Sequence, residues 1–169
     1  DARALAHYPH LREIRHVHHR GNSPGMADGA ALLVIGNHAA GEQLNLTPRA
    51  RIRSYAHWGA EPVVMLTAAQ TATELALKRA HLTAGDIGVF EFNEGFAASV
   101  LKFQRDSGLD PARLNPNGGA IAMGHALGAT GAMLVITLLD ELERSNQQFG
   151  VVAISGGAGV GMALVIERV

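Results

Sequence analysis

Two hydrophobic rhythms alternate along this chain. Ile52, Ser54, Ala56 and Trp58 alternate with Arg53, Tyr55 and His57, the period of a half-buried strand. Over residues 71–81 the period lengthens. Ala72, Leu75, Ala76, Arg79 and Ala80 fall at helical spacing and predict an amphipathic helix. Residues 83–86 read as a turn and 87–91 as a strand. Residues 94–107 read as a helix with Phe96, Val100 and Phe103 on one face, stopped by Gly108. A short strand near 113–115, a long helix over about 128–146 and strands at 150–155 and 160–168 complete this part. Ahead of it, residues 1–20 read as a short helix and a loop. The apolar run 29–36 reads as a buried strand, and a helical turn covers 42–46. Strands alternating with helices and closing on adjacent strands predict a layered α/β domain, with a mixed β-sheet and helices on both faces.

Composition narrows the function classes. A chain of 169 residues, 47% hydrophobic and 17% charged, forms a core and is one domain of ordinary size. A net charge of −1 supplies no electrostatic attraction for nucleic acid or an anionic membrane. No apolar run approaches the ~18 residues of a membrane span. The first fifteen residues lack a hydrophobic signal core, so the expected location is the cytoplasm. With no cysteine there is no disulfide framework, no thiolate metal site and no thiol nucleophile.

The densest chemical information lies in Asn115-Pro116-Asn117-Gly118-Gly119-Ala120-Ile121-Ala122-Met123-Gly124-His125-Ala126-Leu127-Gly128-Ala129-Thr130-Gly131. Glycines this close together permit close backbone approach and positive φ. They place His125 near the start of the long helix. An imidazole held there by backbone is a candidate acid/base, because histidine ordinarily titrates near neutrality. A packing loop with an incidental histidine explains the same residues. Two apolar-flanked stretches accompany it, Phe92-Asn93-Glu94-Gly95-Phe96-Ala97 and Ser155-Gly156-Gly157-Ala158-Gly159-Val160-Gly161.

In this order and spacing, the three stretches resemble the C-terminal signatures of the thiolases, N-E-A-F-A, N-x-N-G-G-A-I-A-x-G-H-P-x-G-x-T/S-G and C-x-G-G-G-x-G. Gly21 to Ala31 is similar to a fourth, G-N-x-S-G-x-x-D-G-A-A. The resemblance implies that residues 1–46 are the tail of a thiolase N-terminal domain, its last strand and connection, and that 47–169 are the C-terminal domain. It implies an acyltransferase of fatty acid metabolism that cleaves 3-ketoacyl-CoA or condenses acetyl-CoA. Coenzyme A is then a substrate, with no separate cofactor and no metal. The partners implied are CoA, acyl-CoA and the missing N-terminal half, in a homodimeric or homotetrameric parent.

By the same resemblance His125 is the base, Asn93 and Gly157 are oxyanion elements, and Ser155 stands at the acid/base cysteine. Phe96, Met65 and Ser23 are the implied substrate contacts. Glu94 is expected to cap the helix that follows it. Four positions depart from the family: Ser155 for cysteine, Ala126 for the proline of G-H-P, Gly95 for the alanine of N-E-A-F, and Pro24 for the CoA-loop serine. A serine donates a hydrogen bond but stores no proton, so Ser155 is alternatively a structural hydroxyl. The rival reading is therefore a non-catalytic thiolase-like module that binds CoA or a partner. A ketosynthase relative shares G-H-x-L-G-A-x-G but not the Asn93-Glu94 element. Residues 157–161 lead into a strand pattern, which removes the helix N-terminus a dinucleotide loop needs. His7, His10, His16, His18 and His19 match no metal-ligand spacing.

Overall fold

A computed structural model describes residues 1–169. The core is a four-stranded sheet built from β1 (Ala50–Gly59), β2 (Val89–Phe92), β3 (Phe149–Ser155) and β4 (Val160–Arg168), in the order β1-β4-β3-β2. β1 with β4 and β4 with β3 are antiparallel, and β2 with β3 is parallel. The helices in chain order are α1 (Ala2–His7), α2 (His38–Leu44), α3 (Ala68–Ala80), α4 (Ala97–Ser107), α5 (Ala120–Met123) and α6 (Thr130–Arg144).

Alternation along the strands sorts the core into two layers. Phe90, Phe92, Val151, Ala153, Ala163 and Val165 face α3 and Phe103 of α4. Val89, Val152 and Ile166 face Leu134, Leu138, Leu139 and Leu142 of α6. Helices therefore cover both faces, as expected. α3 lies close because Ala68, Ala69, Ala72, Ala76 and Ala80 form its inner face. The free edge of β2 is shielded by the segment after α4. Leu114 bridges Phe90, and the Asn115 amide donates to Phe92 O (2.9 Å) while its Oδ1 accepts from Phe92 N (2.7 Å).

Three expectations need correction. Residues 113–115 form no strand: Arg113 ends the one-turn helix Pro111–Arg113 and Leu114 makes a single bridge to Phe90. Residues 29–36 form no strand: the sheet offers them no partner, and Leu32, Val34 and Ile35 are 82%, 76% and 73% exposed. The fourth helix begins at Ala97 rather than near Glu94, because Phe96 is extended, with φ −157° and ψ 150°. Its end is as expected, with Gly108 left-handed at φ 62°. No helix is long and apolar enough to cross a membrane.

Candidate active site

Asn93 is the first residue beyond β2. Its N–H donates to Ala153 O at 2.8 Å, one more rung of the parallel ladder. The side chain is buried and its Oδ1 accepts no hydrogen bond within the chain. An amide oxygen buried without a donor costs about 1–3 kcal/mol, so this position is arranged for something other than stability. Ser155 ends the neighbouring strand β3. Both residues thus lie at the carboxyl ends of parallel strands, where open α/β sheets place ligands.

His125 sits in the loop between α5 and α6. Its N–H donates to Gly25 O (2.8 Å), and its own carbonyl accepts from Ala27 N (3.4 Å). Gly124, just before it, requires glycine twice over. Its φ is 92°, and a Cβ there would fall 2.6 Å from that of Ala27. The segment that holds His125 also holds the Asn93 turn. Ala97 N donates to Asn22 O (2.9 Å), and the His18 ring packs on Phe96 with centroids 4.6 Å apart. Residues 18–27 are therefore one strap across both loops. Asn22 stiffens it, accepting from His19 N (2.8 Å) and donating to Val17 O (2.8 Å).

Ser155 does not join this group by any hydrogen bond. Its Oγ accepts from Ala69 N at 2.9 Å, capping the first turn of α3, whose own N-cap Thr67 makes no side-chain bond. Gly157 lies on the exposed turn after β3, with open space where a Cβ would be. Phe96 is half-buried under His18. Ser23 donates to Asn22 Oδ1 (3.2 Å). Met65 lies in the connection between β1 and α3, 37% exposed, and it and Leu66 both have positive φ, 57° and 52°. Such backbone in bulky residues is strained and recurs at functional sites. A shallow depression of about 360 Å³ runs between residues 27–31 and 126–129, beside the His125 loop.

Glu94 is structural, but not as expected. Its Oε2 accepts from Ile121 N at 2.9 Å, so it caps α5 rather than the helix that follows it. Gly119 leaves room for this carboxylate, since a Cβ there would fall 2.7 Å from Glu94 Cδ. Gly95, where the family has alanine, is different. A Cβ would meet Leu66 at 3.7 Å, ordinary contact. Gly95→Ala is therefore expected to be tolerated and to raise stability by about 0.4–1 kcal/mol, by narrowing the unfolded ensemble. A urea midpoint lower than that of the parent chain would contradict this.

The pattern of residues did not single out two buried side chains. Thr130, at the start of α6, places its hydroxyl 2.8 Å from His125 Nδ1. Glu91, on β2, has neither carboxyl oxygen hydrogen-bonded, and burial pushes its pKa up to about 8, helped by Glu94 and Glu141. A glutamate within an apolar strand was the only available signal for Glu91. For Thr130 the signal was its place at the T/S position of the family motif, five residues after His125.

The thiolase C-terminal domain profile matches residues 46–168. The 3-ketoacyl-CoA thiolase of Escherichia fergusonii is 46% identical over 152 residues, covering 88% of this chain and 39% of that protein. The 3-ketoacyl-CoA thiolase FadA of Escherichia coli K12 gives the same identity and coverage. The crystal structure of the Bacillus anthracis acetyl-CoA acetyltransferase superposes with a TM-score of 0.85 at 33% identity, over 89% of this chain and 38% of that one. The chain thus spans about two fifths of the length of these relatives. With its helix-covered sheet and its strapped Asn93 and His125 loops, it belongs to the thiolase family, as a C-terminal portion.

Proposed function

We propose that this chain is the C-terminal part of an acyltransferase that cleaves 3-ketoacyl-CoA or condenses acetyl-CoA, with coenzyme A and acyl-CoA as substrates. The strap across the Asn93 and His125 loops carries this reading, because it fixes a basic ring and an unsatisfied amide on neighbouring turns.

In the cleavage direction, the imidazole of His125 takes the proton of a nucleophilic thiol, and the thiolate adds to the ketone carbon. The carbon–carbon bond breaks, the electron pair passes to the enolate of acetyl-CoA, and a proton is returned to that carbon. Free CoA thiol then takes the acyl group. Asn93 and the Gly157 N–H are the oxyanion-binding elements, and Phe96, Met65 and Ser23 are substrate contacts. The proton donor to carbon is the position Ser155 occupies.

The thiol comes from outside this chain, which has no cysteine. The N-terminal half that supplies it also covers Leu32, Val34 and Ile35. The whole protein is proposed to act in the cytoplasm as a homodimer or homotetramer. One observation favours a non-catalytic CoA- or partner-binding module instead: the Ser155 hydroxyl is already engaged as a helix cap.

The test is thiolysis of acetoacetyl-CoA, followed by loss of enolate absorbance. The isolated chain is expected to be inactive, and joined to its N-terminal half it is expected to turn over. Turnover by the isolated chain would remove the nucleophile from the other half. An inactive whole protein that still binds CoA would establish the module.

A further inference from the structure

We propose that Thr130 is a positioning residue that holds His125 in the Nδ1–H tautomer and leaves Nε2 as the proton-accepting atom; the catalytic consequence rests on the acyltransferase reading above. Thr130 has a single hydroxyl hydrogen to share between two neighbours. Its Oγ1 lies 2.9 Å from Ala126 O and 2.8 Å from His125 Nδ1. A carbonyl oxygen only accepts, so two oxygens 2.9 Å apart attract only with the hydroxyl hydrogen between them. This is the ordinary bond of a helical threonine to the carbonyl four residues back. With that hydrogen committed, Oγ1 can only accept from the ring. Nδ1 must therefore carry the proton.

The neutral ring holds one proton, so Nε2 is left with a lone pair, and it makes no hydrogen bond within the chain. Thr130 is itself 4% exposed and fixed in the first turn of α6, so water does not compete for the bond. The His125 backbone is held independently by Gly25 and Ala27. The hydroxyl therefore sets the ring's orientation and proton, while the strap sets its place.

The ring ¹⁵N resonances of the neutral imidazoles in this chain read the tautomer directly and without substrate. His125 is picked out of the nine histidines by its loss in His125→Gln. The wild-type chain is expected to show a protonated Nδ1 and a bare Nε2. Thr130→Val, matched in shape, is expected to shift the proton to Nε2, and Thr130→Ser to keep it on Nδ1. A wild-type ring protonated at Nε2 overturns the proposal, and that reading stands even where the valine variant does not fold. A folded Thr130→Val chain with an unchanged tautomer also overturns it.

In the whole protein, Thr130→Val is expected to lower kcat about tenfold or more with KM retained, and Thr130→Ser to restore it. The expected tautomer in an inactive whole protein would sink the acyltransferase reading and leave the role of Thr130 intact.

Discussion

Glu91→Gln is expected to stabilise the chain at pH 8 and to flatten its stability profile between about pH 4.5 and 8. Glu91 is 1% exposed between β2 and α6, and neither oxygen is hydrogen-bonded. Burial raises its pKa from 4.5 to about 8, with the carboxylates of Glu94 and Glu141 adding repulsion. The sign follows from proton counting. Between these two values the folded state holds a proton that the unfolded state has released. Stability is therefore full below pH 4.5, falls as pH rises, and reaches its floor above pH 8.

At ~1.4 kcal/mol per unit, the fall is on the order of 5 kcal/mol. That compares with a typical total of about 5–15 kcal/mol, so it is a dominant effect. Glutamine keeps the shape and removes the charge. Every other titratable group is common to both chains and cancels in the difference. Chemical denaturation across the range is the measurement, and parallel profiles would refute a buried, unpaired Glu91.

Local pattern foretold the elements whose partners are supplied within the chain. β1 is the strand that its alternation predicts, but only Ser54 and Ala56 of the expected inner set turn inward; Ile52 and Trp58 are each 48% exposed, and the register shifts between Ile52 and Ser54. α3 has helical spacing because its alanine stripe lies on the sheet. Gly108 ends α4 through its own left-handed backbone. Elements fixed by distant residues were not legible. Gly29 to Gly36 has the apolarity of a buried strand, but apolarity does not say which surface will cover it, and no strand here does. α5, only four residues long in a glycine-rich stretch, depends on a cap from Glu94, and nothing near it in the chain announces that partner.

The same division runs through the site. The turns that carry His125 and Asn93 were legible because the glycines and apolar flanks around them are local. The hydrogen bond of Ser155 was not, because its partner Ala69 lies 86 residues away and meets it only through the packing of α3 on the sheet. Glu91 was hidden because β2 is buried on both faces, so no polar side of that strand exists.

Ser155→Cys is expected to create a thiol with a pKa below the usual value near 8.5. Two effects oppose each other there. Ser155 is only 9% exposed, and burial favours the neutral thiol. Against this, the Ala69 N–H already points at the side chain from the first turn of a 13-residue helix. A charge-assisted bond contributes about 1.5–3 kcal/mol, and the helix end about 0.3–1 kcal/mol more. The second effect wins because the serine site is built around a donor.

The chain has no cysteine of its own, so the pH dependence of alkylation reports this thiol alone. A value at or above 8.5 would show that burial wins. With the folded pKa depressed, the variant gains stability above the unfolded value near 8.5 and loses that gain as pH falls through the folded one. On the acyltransferase reading proposed above, the thiolate–thiol pair in the whole protein would supply a proton store beside the substrate carbon. Acid–base groups contribute roughly 10²–10⁴-fold, so kcat is expected to rise by that order while KM holds, since hydroxyl and thiol bind substrate alike. An unchanged kcat with a depressed thiol pKa would mean that position 155 caps α3 and takes no part in proton transfer.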